Sequence, residues 1–129
     1  GTAIPPADGE LHMEIKGRNL LNGLPENIVI SSDQIRGALE DPLALVLEAI
    51  RNTLERTPPE LAADIIDQGI TLTGGGALLR GLDQLIGRET GMPVQIAENP
   101  LDCVAKGTGM VLDNIDKLTD MLSEEDGRY

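Results

Sequence analysis

The sequence predicts an α/β fold in which a β-hairpin leads into a βαβ unit flanked by helices. Three stretches carry that prediction. Residues 11–31 hold two strand-like runs on either side of Asn22-Gly23-Leu24-Pro25, the pattern of a hairpin with a loose loop. Leu43, Val46, Leu47, Ile50 and Leu54 recur at helical spacing, so a helix with one apolar stripe follows. Ile70-Thr71-Leu72-Thr73 then runs into Gly74-Gly75-Gly76, a leucine-rich helical pattern, and a second strand at Val94-Gln95-Ile96-Ala97. A strand, a helix and a strand with short joints give two parallel strands through a right-handed crossover.

Taken in order, residues 1–10, with Pro5-Pro6 and Asp8-Gly9, read as an irregular entry. Leu11, Met13 and Ile15 then alternate with His12, Glu14 and Lys16, the mark of a half-buried strand. His12 has no second His and no Cys beside it, and reads as an exposed strand residue rather than a ligand or base. Ser31-Ser32-Asp33-Gln34 opens a helix, with Ser31 as cap and Gln34 reaching back. Ile35, Ala38 and Leu39 point inward. At Asp41-Pro42 the chain is expected to bend and start a new helix, since proline suits a first helical position. Glu48 and Arg51 are spaced for an ion pair worth roughly 0.2–0.5 kcal/mol. Thr57-Pro58-Pro59-Glu60 repeats the start signal for a short helix through Ile66, which Gly69 stops. After the glycines a helix is expected to begin at once, with Leu78, Leu79, Leu82, Leu85 and Ile86 on its buried stripe and Gly91 at its end. Asn99-Pro100 starts a final helix that continues across Gly107-Thr108-Gly109 to Val111, Ile115, Leu118 and Leu122. Two glycines inside a helix cost about 1 kcal/mol each against alanine, so they mark a break or a close backbone approach. Ser123 to Tyr129 is an acidic, polar tail expected to be mobile.

Composition narrows the partners. With 129 residues the chain is one domain or part of one, and aliphatic side chains must fill its core, since Tyr129 is the sole aromatic. A formal net charge of −12 repels phosphate backbones and anionic headgroups, and the ten Lys and Arg are scattered singly. Nucleic acid is therefore not an expected partner. The single cysteine, Cys103, excludes an intrachain disulfide and a multi-cysteine metal site and fits a reducing cytoplasm. No apolar run approaches the roughly 18 residues of a membrane span. The first residues lack both a Met start and a signal peptide's basic and apolar regions, and read as a cut from a longer chain.

Little in the sequence can carry reaction chemistry. No two of the many carboxylates have a spacing that singles them out, and a solvated acidic face accounts for them. Cys103 has only His12 as a candidate base and reads as a small buried thiol. Neither a G-x-S-x-G elbow nor a Walker A sequence is present. What stands out is the strand, the three glycines and the helix start that follows. Such a corner leaves backbone N–H groups bare, able to approach a phosphate, a ribose or the face of a base. The glycines could equally serve a plain connector that needs positive φ angles. A dinucleotide reading matches in part: Gly74 and Gly76 supply two glycines of G-x-G-x-x-G, and Glu98 stands about where an acid holds a ribose. Leu79 occupies the third glycine's place, so this reading ranks second. A pure interaction module, binding neither nucleotide, is the third.

Leu72-Thr73-Gly74-Gly75-Gly76-Ala77-Leu78-Leu79-Arg80-Gly81-Leu82 resembles the adenosine motif of the actin and Hsp70 ATPase superfamily. Thr90-Gly91-Met92-Pro93-Val94 and Asn99 through Gly109 add to the likeness. So do Lys16-Gly17-Arg18-Asn19-Leu20, Gly23-Leu24-Pro25 and Thr57 through Ala62. With these, nearly the whole chain is similar to the C-terminal part of the MreB family of bacterial actin homologues. The resemblance implies part of an actin-like (ribonuclease H-like) ATPase fold, second lobe only. Residues 1–41 would be its outer subdomain, 42–122 part of the inner subdomain with a connecting helix, and 123–129 the tail. Gly74, Gly75, Gly76 and Ala77 would lie against the ribose and adenine of ATP, with Leu78 and Leu79 lining the base pocket. Lys106, Gly107, Thr108 and Gly109 would form the hinge between lobes. The family's phosphate loops, its Mg-holding acids, its water-orienting residue and its Lys/Glu pair near the base belong upstream of Gly1. This chain alone is therefore not expected to hydrolyse ATP, because phosphoryl transfer depends on those positioned groups. The whole protein would polymerise with ATP into filaments at the inner face of the membrane, in the cytoplasm, and guide cell-wall synthesis and rod shape. Its partners would be further copies of itself, MreC, MreD and RodZ, with no membrane insertion by this chain. An inner sheet of two strands would leave an unpaired edge.

Overall fold

A computed structural model describes residues 1–115. The expected hairpin forms. Strand β1 (His12–Arg18) pairs antiparallel with β2 (Pro25–Ser31), Ile15 opposite Ile28. Asn19 organises the turn: its Oδ1 accepts from Leu21 N at 2.9 Å, and its carbonyl accepts from Gly23 N at 2.8 Å. The strand is not half-buried, however. Met13 is 65% exposed and Val29 62%, so both faces of the hairpin stay open. Helix α1 (Ser32–Arg56) meets it at the end of β2, where Ser31 is buried.

Ser31 caps α1 as its sequence predicts. Its Oγ accepts from Gln34 N at 3.2 Å, and Gln34 Oε1 accepts from Ser31 N at 2.9 Å. Ser31→Ala is expected to cost about 1 kcal/mol. Urea unfolding of the chain checks this, and an unmoved midpoint would contradict it.

The break at Asp41-Pro42 does not occur: one helix of 25 residues runs through Pro42. Proline removes a single backbone donor there. Ile35, Leu39, Leu43, Leu47, Ile50 and Leu54 form one stripe across that point, and a continuous helix keeps the whole stripe on one side. The stripe is half-buried rather than buried, and Val46 lies 44% exposed. Ala38, expected to point inward, is exposed. Arg51 pairs not with Glu48 but with Glu89 of α3 (Leu82–Thr90), which ties two distant helices together. Thr57 ends α1 instead of capping α2 (Pro59–Gln68): its hydroxyl donates back to Thr53 O at 2.7 Å, and Pro58 stands at the cap position of α2. Pro58 and Pro59 have no N–H to be capped.

Strand β3 (Ile70–Leu72) pairs in parallel with β4 (Val94–Ile96), Ile70 opposite Val94 and Leu72 opposite Ile96, so the βαβ unit stands. Its helix does not begin at once. Gly75–Leu78 make a 3-10 turn, the chain leaves helical geometry at Leu79-Arg80-Gly81, and α3 starts at Leu82. The interruption has a cause in the entry segment. Ala3 N donates to Arg80 O at 2.8 Å, and Thr2 bridges Arg80 in parallel. Residues 2 and 3 thus act as a short strand, buried to 6% and 9% exposure, where an irregular entry was expected. Of the leucine-rich stripe only Ile86 is fully buried, at 1% exposure, while Leu78 is 57% exposed. Ile86→Ala is expected to cost about 3 kcal/mol, the transfer and cavity cost of a deep aliphatic. Loss of the cooperative urea transition would agree, and a shift equivalent to less than about 1 kcal/mol would not.

Helix α4 (Cys103–Asp113) begins later than Asn99-Pro100 suggests, because Asn99 takes φ 50° and Asp102 N donates to its carbonyl at 2.9 Å, closing a turn first. The helix is unbroken at Gly107 and Gly109, and no approaching group lies within 4 Å of a Cβ built at either. Neither expected reason for those glycines is met among the described residues. The continuation to Leu118 and Leu122 and the tail 123–129 lie outside the described residues. Among the described residues many large apolar side chains stay exposed, Leu20 at 93% and Val104 at 72% among them.

Candidate functional site

The glycine corner is built from the strand ends upward. Ala97 N donates to Leu72 O at 3.0 Å, which carries the β3–β4 pairing one step past both strands. Gly74 then takes φ 78° and ψ 177°, a conformation glycine alone adopts freely. Its N–H donates to Pro100 O at 2.8 Å, strapping the segment before α4 to the corner. Gly74 O accepts from Ala77 N at 3.2 Å and Gly76 O from Leu79 N at 3.1 Å, closing the 3-10 turn. Ala77, 3% exposed, roots that turn in the core.

The turn is open to solvent. The N–H groups of Gly75 and Gly76 have no acceptor among the described residues. A Cβ at Gly74 or Gly76 would meet nothing within 4 Å, and one at Gly75 would meet only Leu101 Cδ2, at 3.6 Å. The predicted residues Gly74 to Leu79 therefore share one corner, with Leu79 half-buried beside it. Pro100 and Leu101 belong to that corner too, and sequence reasoning missed them. The signal was available: Asn99-Pro100 follows the second of two parallel strands, and ligands of open α/β sheets gather outside the carboxyl ends of the strands. The predicted hinge residues are not brought there. Lys106, Gly107, Thr108 and Gly109 lie within α4, where Thr108 Oγ1 donates back to Val104 O at 2.8 Å.

The other candidates are accounted for structurally. Cys103 is half-buried rather than buried, and its Sγ faces Asn99 O at 3.5 Å and Glu98 O at 3.8 Å. Its thiol donates to backbone carbonyls, the role of a structural cysteine. The His12 side chain is 58% exposed and lies 3.9 Å from Glu10. Among the described residues no group of three or more His, Cys, Asp or Glu could hold a metal ion. No described helix is long and apolar enough to cross a membrane. What the corner offers is binding: two free N–H donors, a bare backbone face and two leucines beside it.

Parallel strands ending at a glycine corner, with a helix on the far side, define an α/β domain. The shape is more specific. The chain superposes on MreB5 of Spiroplasma citri bound to ADP with a TM-score of 0.83 and 38% identity, covering 93% of this chain and 36% of that one. Against MreB5 bound to AMPPNP the TM-score is 0.82. The fold is thus part of an actin-like one. The family model described as MreB/Mbl protein matches residues 1–120. The chain belongs to the MreB/Mbl family. It is 53% identical over 117 residues to the cell shape-determining protein Mbl of Bacillus subtilis (strain 168), covering 91% of this chain and 35% of that relative. It is 49% identical over 121 residues to the cell shape-determining protein MreB of Escherichia coli (strain K12), covering 93% of this chain and 35% of that relative. The chain spans about a third of the length of these curated relatives.

Proposed function

We propose that the chain is the second-lobe part of a cell shape-determining protein that binds ATP and assembles into filaments. The carrying observation is the open glycine corner, whose free N–H groups and bare face suit the ribose and adenine of a nucleotide. Solved relatives hold ADP and AMPPNP, which supports the same ligand class here. In this reading Gly74 to Ala77 receive the nucleoside, Leu78 and Leu79 flank the base, and Lys106 to Gly109 serve the inter-lobe hinge. In the same reading residues 1–41 are the outer subdomain and 42–122 the inner portion, with α1 running across their boundary. The phosphates and Mg fall to the first lobe, so this chain contributes binding and no hydrolysis. Filament contacts with further copies, work at the inner face of the membrane, and association with MreC, MreD and RodZ complete the reading.

The test is a titration of the chain with adenosine and with ADP, followed by amide chemical shifts. Saturable shifts at Gly75, Gly76, Ala77 and Leu101 are expected. Shifts there with NAD but not adenosine would favour the dinucleotide enzyme, and none with either would leave an interaction module.

A further inference from the structure

Asn22 is the one asparagine of the sequence that is followed by glycine, and it stands exposed in the turn of the β1–β2 hairpin. The pairing matters because glycine has no Cβ to shield its backbone nitrogen from the asparagine side chain. The turn folds the two groups together. Leu24 N donates to Asn22 Oδ1 at 2.9 Å, so the Asn22 side chain spans Gly23 and its carbonyl is polarised. The turn also restrains them, and Asn19 is the main restraint. Its carbonyl accepts from Gly23 N at 2.8 Å, and its Oδ1 accepts from Leu21 N at 2.9 Å and Asn22 N at 3.4 Å. Arg18 Nε donates to Gly23 O at 2.9 Å, a second hold on the same glycine. Leu20 and Leu21 beside it are 93% and 99% exposed, so opening the turn breaks local bonds and no packed core.

We propose that Asn22 is a site of spontaneous modification, converting to aspartate and isoaspartate at a rate governed by Asn19 and Arg18. When the turn opens, Gly23 N loses its proton to hydroxide and attacks Asn22 Cγ. The bond from Cγ to the side-chain nitrogen breaks, that nitrogen takes a proton from water and leaves as ammonia, and a succinimide ring joins the two residues. Water then opens the ring. Cleavage of the Cγ–N bond leaves aspartate; cleavage of the backbone C–N bond leaves isoaspartate, with the chain routed through Cβ and Cγ. Either product sets a carboxylate where the amide stood, cancelling the single excess positive charge that Lys16, Arg18 and Glu26 leave at this end of the hairpin. Isoaspartate also lengthens the main chain of the turn, so the bond from Asn19 N to Leu24 O, 2.9 Å long, is expected to be lost. The two exposed leucines are then displayed on a different turn.

The experiment incubates the chain in mildly alkaline buffer and follows the tryptic peptide 19–36 (17–36 in the Arg18 variant), which holds Asn19, Asn22 and Asn27, by fragmentation mass spectrometry. The mass gain of an amide becoming an acid is expected at Asn22, with isoaspartate as the main product, before any at Asn19 or Asn27. The folded chain should react at least about threefold more slowly than the same chain in guanidinium chloride, because the turn must open first. Asn19→Ala and Arg18→Gln should each bring the folded rate towards the unfolded one, and Asn22→Gln should abolish the reaction at position 22. A cross-strand NMR contact between Ile15 and Ile28 verifies that a variant keeps its hairpin. Modification first at another asparagine, equal rates in the folded and unfolded chain, or folded rates unmoved in both turn variants would overturn the proposal.

Discussion

Gly81→Ala is expected to destabilise the chain by about 3 kcal/mol. Two costs add. Gly81 holds φ 75° and ψ 6°, a left-handed conformation that costs an alanine roughly 1–2 kcal/mol. The added Cβ would also stand 2.4 Å from Ile4 Cγ1 and 3.0 Å from Ile4 Cδ1, so the entry segment must move. Forcing such a shift costs about 1–3 kcal/mol. The two parts can be separated. In the double variant Gly81→Ala, Ile4→Ala the clash is gone and the backbone strain remains. Its destabilisation should therefore fall short of the sum of the single effects by about 1–2 kcal/mol. Urea unfolding of the four proteins gives the cycle, and strict additivity would show that Ile4 does not press on Gly81. The same contact explains why α3 starts where it does: Thr2, Ala3 and Ile4 hold Arg80 and Gly81 out of the helix.

That contact also marks the limit of what the sequence could tell. The hairpin, the capping box at Ser31, the parallel β3–β4 pair and the glycine corner rest on neighbours within a few dozen residues, and periodicity or turn chemistry reveals them. The Thr2–Ala3 strand rests on a partner at Arg80, far along the chain, and nothing in Gly1-Thr2-Ala3-Ile4 announces it. The Arg51–Glu89 pair is hidden for the same reason, since Glu48 is the nearer acid and only the fold brings Glu89 closer. Pro42 misled in another way. A local rule says that proline opens a helix, but one lost backbone bond weighs less than a stripe running from Ile35 to Leu54. At the corner, Gly74 to Leu79 were legible because glycines in series are rare. Pro100 and Leu101 were legible only indirectly, through the predicted β3–β4 pairing that sets their strand ends side by side.

Gly76→Val is the sharpest probe of the corner itself. Gly76 is not at positive φ, and nothing lies within 4 Å of its Cβ position, so a branched side chain projects from there into open space and the fold should survive. Its branched side chain would nevertheless fill the space that a ribose or base must enter against bare backbone. A methyl group at van der Waals distance from the turn holds a ring off by more than hydrogen-bond reach, so the Gly75 and Gly76 N–H groups lose their ligand. Adenosine binding is expected to weaken at least about tenfold, equivalent to roughly 1.4 kcal/mol. The urea midpoint should move by less than about 0.5 kcal/mol in free-energy terms, as for an open surface site. Gly74→Val is no substitute, because φ 78° there would unsettle the turn as well as block it. If Gly76→Val binds adenosine as the parent chain does, the nucleoside does not sit on this turn. The glycines would then serve the path of the chain alone, carrying it from β3 through a buried Ala77 to the contact with Thr2 and Ala3.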